Sequence, residues 1–154
     1  MRGMSSHSAR IEWRRTSADF SLESFSRNHE VKFGTGQQLS LSATHEYRGD
    51  AERVNPEELL LAALSSCHMM TFLALAARSG LVVDHYADDA IGYLEKGADG
   101  RIWLTRVVLR PDVRFAAQPP PDREQKLALH ARAHRGCFIA NSVKTEVEVE
   151  LPAE

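Results

Sequence analysis

The sequence predicts an α+β fold, with antiparallel sheets packed around a long apolar central helix. Three observations predict it: a capped apolar helix in mid-chain, short alternating segments on both sides of it, and a second helical run that leads into a strictly alternating close. The chain has 154 residues, 43% hydrophobic and 26% charged, the composition of a globular protein. A chain of this length buries roughly 70% of the surface its unfolded form exposes, enough for a core without disulfide staples. Residues 1–8 carry no period and are expected to be a disordered terminus, with residues 9–154 forming one domain.

From residue 9 to residue 44 the pattern is β-like. Residues 10–14 alternate around Ile11 and Trp13, residues 31–33 are short and apolar, and residues 39–43 alternate leucine with serine; Gly34 and Gly36 supply a turn. The charged, irregular stretch 47–54 ends at Asn55-Pro56-Glu57-Glu58, which reads as a helix start. Asn55 caps, Pro56 has the fixed φ of a first helical position, and Glu58 sits where a capping-box carboxylate reaches back to the cap. The helix is expected to stop at Ser79-Gly80.

Its interior, residues 59–77, runs about nineteen positions without a formal charge, close to membrane-spanning length. Ser65, Ser66, Cys67 and His68 at its centre would be costly in hydrocarbon and no basic flank orients it, so a buried helix of a soluble protein is expected, with no membrane partner. Apolar residues appear on every side of this helix, whereas one sheet covers one face. A homodimer in which a second copy supplies a partner helix is therefore expected.

Beyond the helix, residues 81–83 and 90–94 read as strands, 97–100 as a hairpin turn, and 101–115 as a long strand broken near Pro111, together a β-meander. Pro119, Pro120 and Pro121 form a stiff link into a helical run over 122–134 that Gly136 breaks, and a second short helix is expected after Cys137. Residues 145–151 close the chain, with Val147, Val149 and Leu151 on one face and carboxylates on the other.

Nineteen Lys and Arg against twenty-one Asp and Glu leave a net charge of -2 with no basic block, so no nucleic-acid partner is expected. Two cysteines are too few for a disulfide scaffold, and no charged segment followed by an apolar stretch opens the chain, which makes the cytoplasm the expected location.

Cys67 in mid-helix and Cys137 just past Gly136 are the residues that bring chemistry. Each has apolar neighbours, and one reading makes both small buried hydrophobes. The other is a redox pair: Gly136 before Cys137 and Asn141-Ser142 after it fit a helix N-terminus, where the backbone dipole favours a thiolate. A bond between them would constrain the unfolded chain by roughly 4 kcal/mol, and a cytosolic setting favours a transient bond over a permanent one. A metal reading competes, because His130, His134 and Cys137 lie four and three residues apart and a continuing helix would set them on one face for zinc. Gly136 interrupts that face and no fourth ligand is evident; otherwise both histidines are expected in solvent beside Arg132 and Arg135. A third reading is a non-catalytic dimer that binds small apolar molecules between its helices.

The segment NPEELLLAALSSCHMMTFLALAARSG resembles the first-cysteine motif of the OsmC and organic hydroperoxide resistance (Ohr) superfamily, and GCFIANSVKTEVEVE is similar to its second-cysteine segment leading into the last strand. In order of elements the resemblance covers residues 11–151. It implies an OsmC-like fold in an intertwined homodimer. It also implies a thiol-dependent peroxidase that reduces organic hydroperoxides to alcohols in oxidative stress defence, with no bound cofactor and an external dithiol or lipoylated protein as reductant. Residue by residue it implies Cys67 as the peroxidatic cysteine, Cys137 as the resolving one and Glu57 as the supporting glutamate, with Glu58 competing for that role. Arg27, in the turn Phe25-Ser26-Arg27-Asn28-His29, resembles the hydroperoxide-resistance arginine and Arg48 the osmotically inducible one; Arg27 is preferred. Phe138 replaces the proline that often follows the second cysteine, and His68 replaces an aromatic or aliphatic residue, the marks of a separate subgroup. Met69, Met70 and Phe72 read as core. On a straight helix Glu57 and Cys67 are separated by about 15 Å of rise and about 80° around the axis. A glutamate serving Cys67 is thus expected from the other subunit, or from a chain that folds back at Pro56.

Overall fold

The computed structural model describes residues 4–116 and 119–153, and the chain divides into two compact units, Met1–Leu59 and Leu60–Glu154. The disordered terminus expected over residues 1–8 falls in part on residues 1–3, which lie outside the described residues.

In the first unit β1 (Ala9–Glu12), β2 (His29–Phe33) and β3 (Gln38–Leu41) form an antiparallel sheet with β2 in the middle. Ile11 stands opposite Val31 and Val31 opposite Leu39, so the apolar member of each alternation shares one face, on which Val31 and Leu41 are buried. A 3₁₀ turn at His45–Tyr47 follows, and a parallel bridge ties Leu41 to Val54.

Helix α1 (Pro56–Arg78) begins and ends as its sequence dictates. The Glu58 N–H donates to Asn55 Oδ1 at 2.9 Å while the Asn55 N–H donates to the Glu58 carboxylate at 3.0 Å, a closed capping box. At the other end the Leu81 N–H donates to Ala76 O at 2.9 Å and the Gly80 N–H to Ala77 O at 3.1 Å. This double closure needs a left-handed residue, and Gly80, at φ +73°, adopts that conformation without a Cβ penalty.

The second unit holds a two-stranded sheet of β4 (Val83–Asp88) and β7 (Pro111–Phe115), and a three-stranded sheet ordered β5 (Ile91–Lys96), β6 (Ile102–Leu109), β8 (Glu146–Val149). The expected strand at 81–83 starts only at Val83, because Leu81 is used in closing α1. The expected meander is corrected: β4 pairs with β7 and brackets the β5–β6 hairpin. Proline has no N–H with which to continue the β6 ladder, and the Arg110 N–H just before it is given to Asp88 Oδ1 at 2.6 Å, which carries the chain across to β4.

The purely antiparallel sheets are corrected too. Strand β8 runs parallel to β6, with Val147 opposite Val107 and Val149 opposite Leu109. A parallel partner needs a long crossover, and α2 (Arg123–Gly136) supplies it, capped by Asp122 and Gln125 in a second capping box. A 3₁₀ turn at Ala140–Ser142 stands where a short second helix was expected.

Helix α1 buries Leu64, His68, Phe72 and Ala76, four residues apart and therefore one stripe. Phe72 and Ala76 pack with Phe115, Leu129 and Ala133, and Leu64 with Val107 and Leu109. The helix is long and apolar enough to cross a membrane by length and composition, and 22% of its most apolar window is buried within the chain. Within one chain a single layer covers one face of the helix, the part of its cover that the sequence assigns to the chain itself. Met70, on the far side from the stripe, is 60% exposed and is not core, while Met69 is half-buried and Phe72 fully buried.

Candidate active site

Two thiols meet in the second unit. Cys67 lies half-buried in mid-α1, and Cys137, 1% exposed, closes the C-terminal end of α2; both are free, and the Cys67 thiol is near enough to act on that of Cys137. Gly136 allows the meeting. A Cβ at that position would stand 3.1 Å from Thr71 Cγ2, closer than a side chain settles without displacing its neighbour. Thr71 is itself tied down, its hydroxyl donating to the Cys67 carbonyl at 2.8 Å.

Burial, together with the Cys67 thiol beside it, pushes the Cys137 thiol above its ordinary value. The backbone N–H groups of Ala140, 3.4 Å from Sγ, and Ile139 oppose this without offsetting it. The expectation that Cys137 opens a helix whose dipole favours a thiolate is therefore corrected. It ends α2, and only a three-residue 3₁₀ turn follows.

Beside the thiols lies a pair that sequence reasoning missed. His68 Nε2 and His130 Nδ1 are 3.0 Å apart, their rings are parallel to within 3°, and His130 stacks on Phe72 with centroids 4.3 Å apart. Each ring is no more than 2% exposed. Burial lowers the pKa of both to about 4; the charge of His134 also lowers His68, Asp88 opposes it, and His68 further lowers His130. Both are neutral at pH 7, one ring donating and the other accepting. The signal was present in the four-residue spacing of Leu64, His68, Phe72 and Ala76, which puts His68 on the buried stripe.

The histidines expected in solvent are corrected as well. His130 is buried with Leu129, Ala133 and Cys137 on the inner face of α2, and His134 Nδ1 is buried without a hydrogen-bond partner among the described residues, whereas Arg132 and Arg135 are exposed. The zinc trio does not assemble: among the described residues no three His, Cys, Asp or Glu side chains gather to hold a metal ion. Helix α2 places His130 against His68 instead.

The first unit has its own cleft of about 720 Å³, walled by Ile11, Trp13, Phe20 and Phe25 and carrying Arg27 and Glu57 in its lining. The Arg27 guanidinium lies 3.7 Å above the Phe25 ring, donates to Leu22 O at 2.7 Å and also to Phe25 O, so its fork is fixed. Trp13 pins the same loop by donating to Ser26 O at 2.7 Å. Arg48 is exposed, in a left-handed conformation at the end of the 3₁₀ turn, and does not line the cleft. Glu58 is occupied in capping α1, which leaves Glu57 as the carboxylate that faces this cleft.

Residues 49–152 match the sequence family described as OsmC-like protein. The chain belongs to the OsmC family. This OsmC-like chain is 42% identical to an OsmC-like protein of unknown function from Vibrio cholerae, and the two structures share a TM-score of 0.91 over 97% of this chain and 100% of that one. Two organic hydroperoxide resistance proteins share the fold: OsmC of Legionella pneumophila, at 20% identity, TM-score 0.72 and 97% of each chain, and OhrB of Bacillus subtilis, at 17%, 0.68, and 96% of this chain and 98% of that one. The uncharacterized protein YmaD of Bacillus subtilis is 29% identical over 117 residues, 74% of this chain and 76% of that protein.

Proposed function

We propose that this OsmC-like protein is a cytoplasmic, homodimeric thiol peroxidase that reduces organic hydroperoxides to alcohols. The Cys67–Cys137 contact carries the reading. The Cys67 thiolate attacks the terminal peroxide oxygen, the O–O bond breaks, and the alkoxide takes a proton and leaves as the alcohol. Cys67 is left as a sulfenic acid. The Cys137 thiol, adjacent and held protonated by its burial, condenses with it to a disulfide, and its proton leaves in the water that forms. An external dithiol, such as a lipoyl group, then restores both thiols by exchange. In this reading Arg27 steadies the thiolate and the developing alkoxide, with Glu57 holding the guanidinium.

Purified protein given a dithiol is expected to consume an alkyl hydroperoxide faster than hydrogen peroxide, since each buried methylene of the substrate is worth about 0.8 kcal/mol. Rates of peroxide loss at matched concentrations check it. Equal turnover of hydrogen peroxide removes the preference, and turnover of neither removes the activity.

Helix α1 is continuous from Pro56 onward, which supports a glutamate drawn from the other subunit over one brought in by a chain that folds back at Pro56. The proposed site is accordingly shared, Cys67 being served by the partner subunit's Glu57. Glu57→Ala and Cys67→Ser chains, each inactive alone, are expected to regain activity when unfolded and refolded together, because the heterodimer keeps one intact site of two. Activity no higher than that of the separate variants would show that the sharing is absent.

A further inference from the structure

A cleft in the second unit, with neither thiol in its lining, has no part in the proposed reaction. It encloses about 190 Å³, with Phe72 and Phe115 as apolar walls, Arg123 and Lys126 on its α2 side and Asp112 on its β7 side. His130 is also in its lining. That imidazole is 2% exposed; its Nδ1 is taken by His68, and its Nε2 has no hydrogen-bond partner among the described residues. Arg123, Lys126 and His130 are spaced three and four residues apart, one row along α2. Arg123 is in part engaged, donating to Pro152 O at 2.9 Å, while Lys126 enters no ion pair among the described residues.

His130 is almost wholly buried and lines the cleft with one ring nitrogen uncommitted among the described residues, and a cation one turn away on the same row selects a negative partner. Among the described residues of its lining, two cations stand against one carboxylate, which favours an anion of low charge. Two aromatic walls ask for hydrocarbon behind that charge, and the volume admits only a few carbons. We propose that this cleft binds a short-chain carboxylate, its oxygens seated between the Lys126 ammonium and the His130 Nε2–H, with its alkyl part against Phe72 and Phe115. The anion then fixes the tautomer of the pair: with its proton on Nε2, His130 accepts at Nδ1 from the His68 Nε2–H. Occupancy of the cleft is thereby passed to the residue next to Cys67.

Sodium propionate titrated into protein with ¹⁵N-labelled imidazoles, at neutral pH and constant ionic strength, tests this. Saturable shifts of the His130 and His68 ring nitrogens are expected, with no saturation from propionamide, which has the shape without the charge, or from chloride. Lys126→Gln, which removes the charge from a half-buried surface stem, is expected to weaken binding about tenfold. Propionate shifts that do not exceed those of chloride would overturn the proposal, and so would undiminished affinity in Lys126→Gln.

Discussion

Cys67→Ser is expected to lower peroxide consumption to background, whereas Cys137→Ser allows one attack per site and then stalls. The difference follows from how the two thiols are held. Cys67 is half-buried and open to approach, while Cys137 is 1% exposed and kept protonated by its burial and by its neighbour. A hydroxyl in place of Cys67 is not a nucleophile at neutral pH, so the loss is essentially complete. Without Cys137 the sulfenic acid on Cys67 has no partner thiol, and a second equivalent of peroxide takes it to sulfinic acid, which a dithiol does not reverse. Mass spectrometry after one equivalent of hydroperoxide checks this: a single added oxygen on the Cys67 peptide in Cys137→Ser, and an intramolecular disulfide in the parent chain. Oxidation appearing first on Cys137 would exchange the two roles.

The parts of this fold that are set locally could be read from the sequence. The α1 capping box, the Gly80 stop and the Asp122 start each depend on residues within one turn of each other, and each stands close to its expected place. Pairing between distant segments could not be read in the same way. No local signal within residues 81–115 distinguishes a meander from a β4–β7 pair closed around a hairpin, because that pairing joins segments far apart in the chain, as where the Arg110 N–H reaches Asp88. The alternation of Val147 and Val149 gave the buried face of β8 but not its parallel partner, since both directions present the same face.

The site divides along the same line. Cys67 and Cys137 stood out by motif, but the contact between them depends on Gly136 passing Thr71, a tertiary fact. The surroundings of His130 were misread for a related reason. Among Arg132, His134 and Arg135 the local composition is polar, and only packing against α1 shows which side of α2 faces inward.

Acid should therefore unfold this protein through its two buried imidazoles. In the folded chain His68 and His130 have pKa values of about 4, while an unfolded histidine titrates near 6.5. Between these limits the unfolded state binds more protons, so stability rises with pH across that window. The contribution is complete above pH 6.5 and is lost as pH falls toward 4. One pKa unit corresponds to about 1.4 kcal/mol, so two such groups are worth several kcal/mol, a large share of the 5–15 kcal/mol typical of a domain. Asp88 and His134, the charged neighbours of His68, act in opposite directions and leave burial as the dominant cause. Urea midpoints of the parent chain are expected to fall steeply between pH 6.5 and 4.5, and those of a His68→Leu/His130→Phe double variant to stay nearly level, since a phenylalanine keeps the stack on Phe72 and neither side chain titrates. His68→Leu alone leaves His130 Nδ1 buried without its partner and is expected to cost about 1–3 kcal/mol at neutral pH, more than the double variant does. A parent chain that loses no more stability in acid than the double variant would assign the acid sensitivity to other groups.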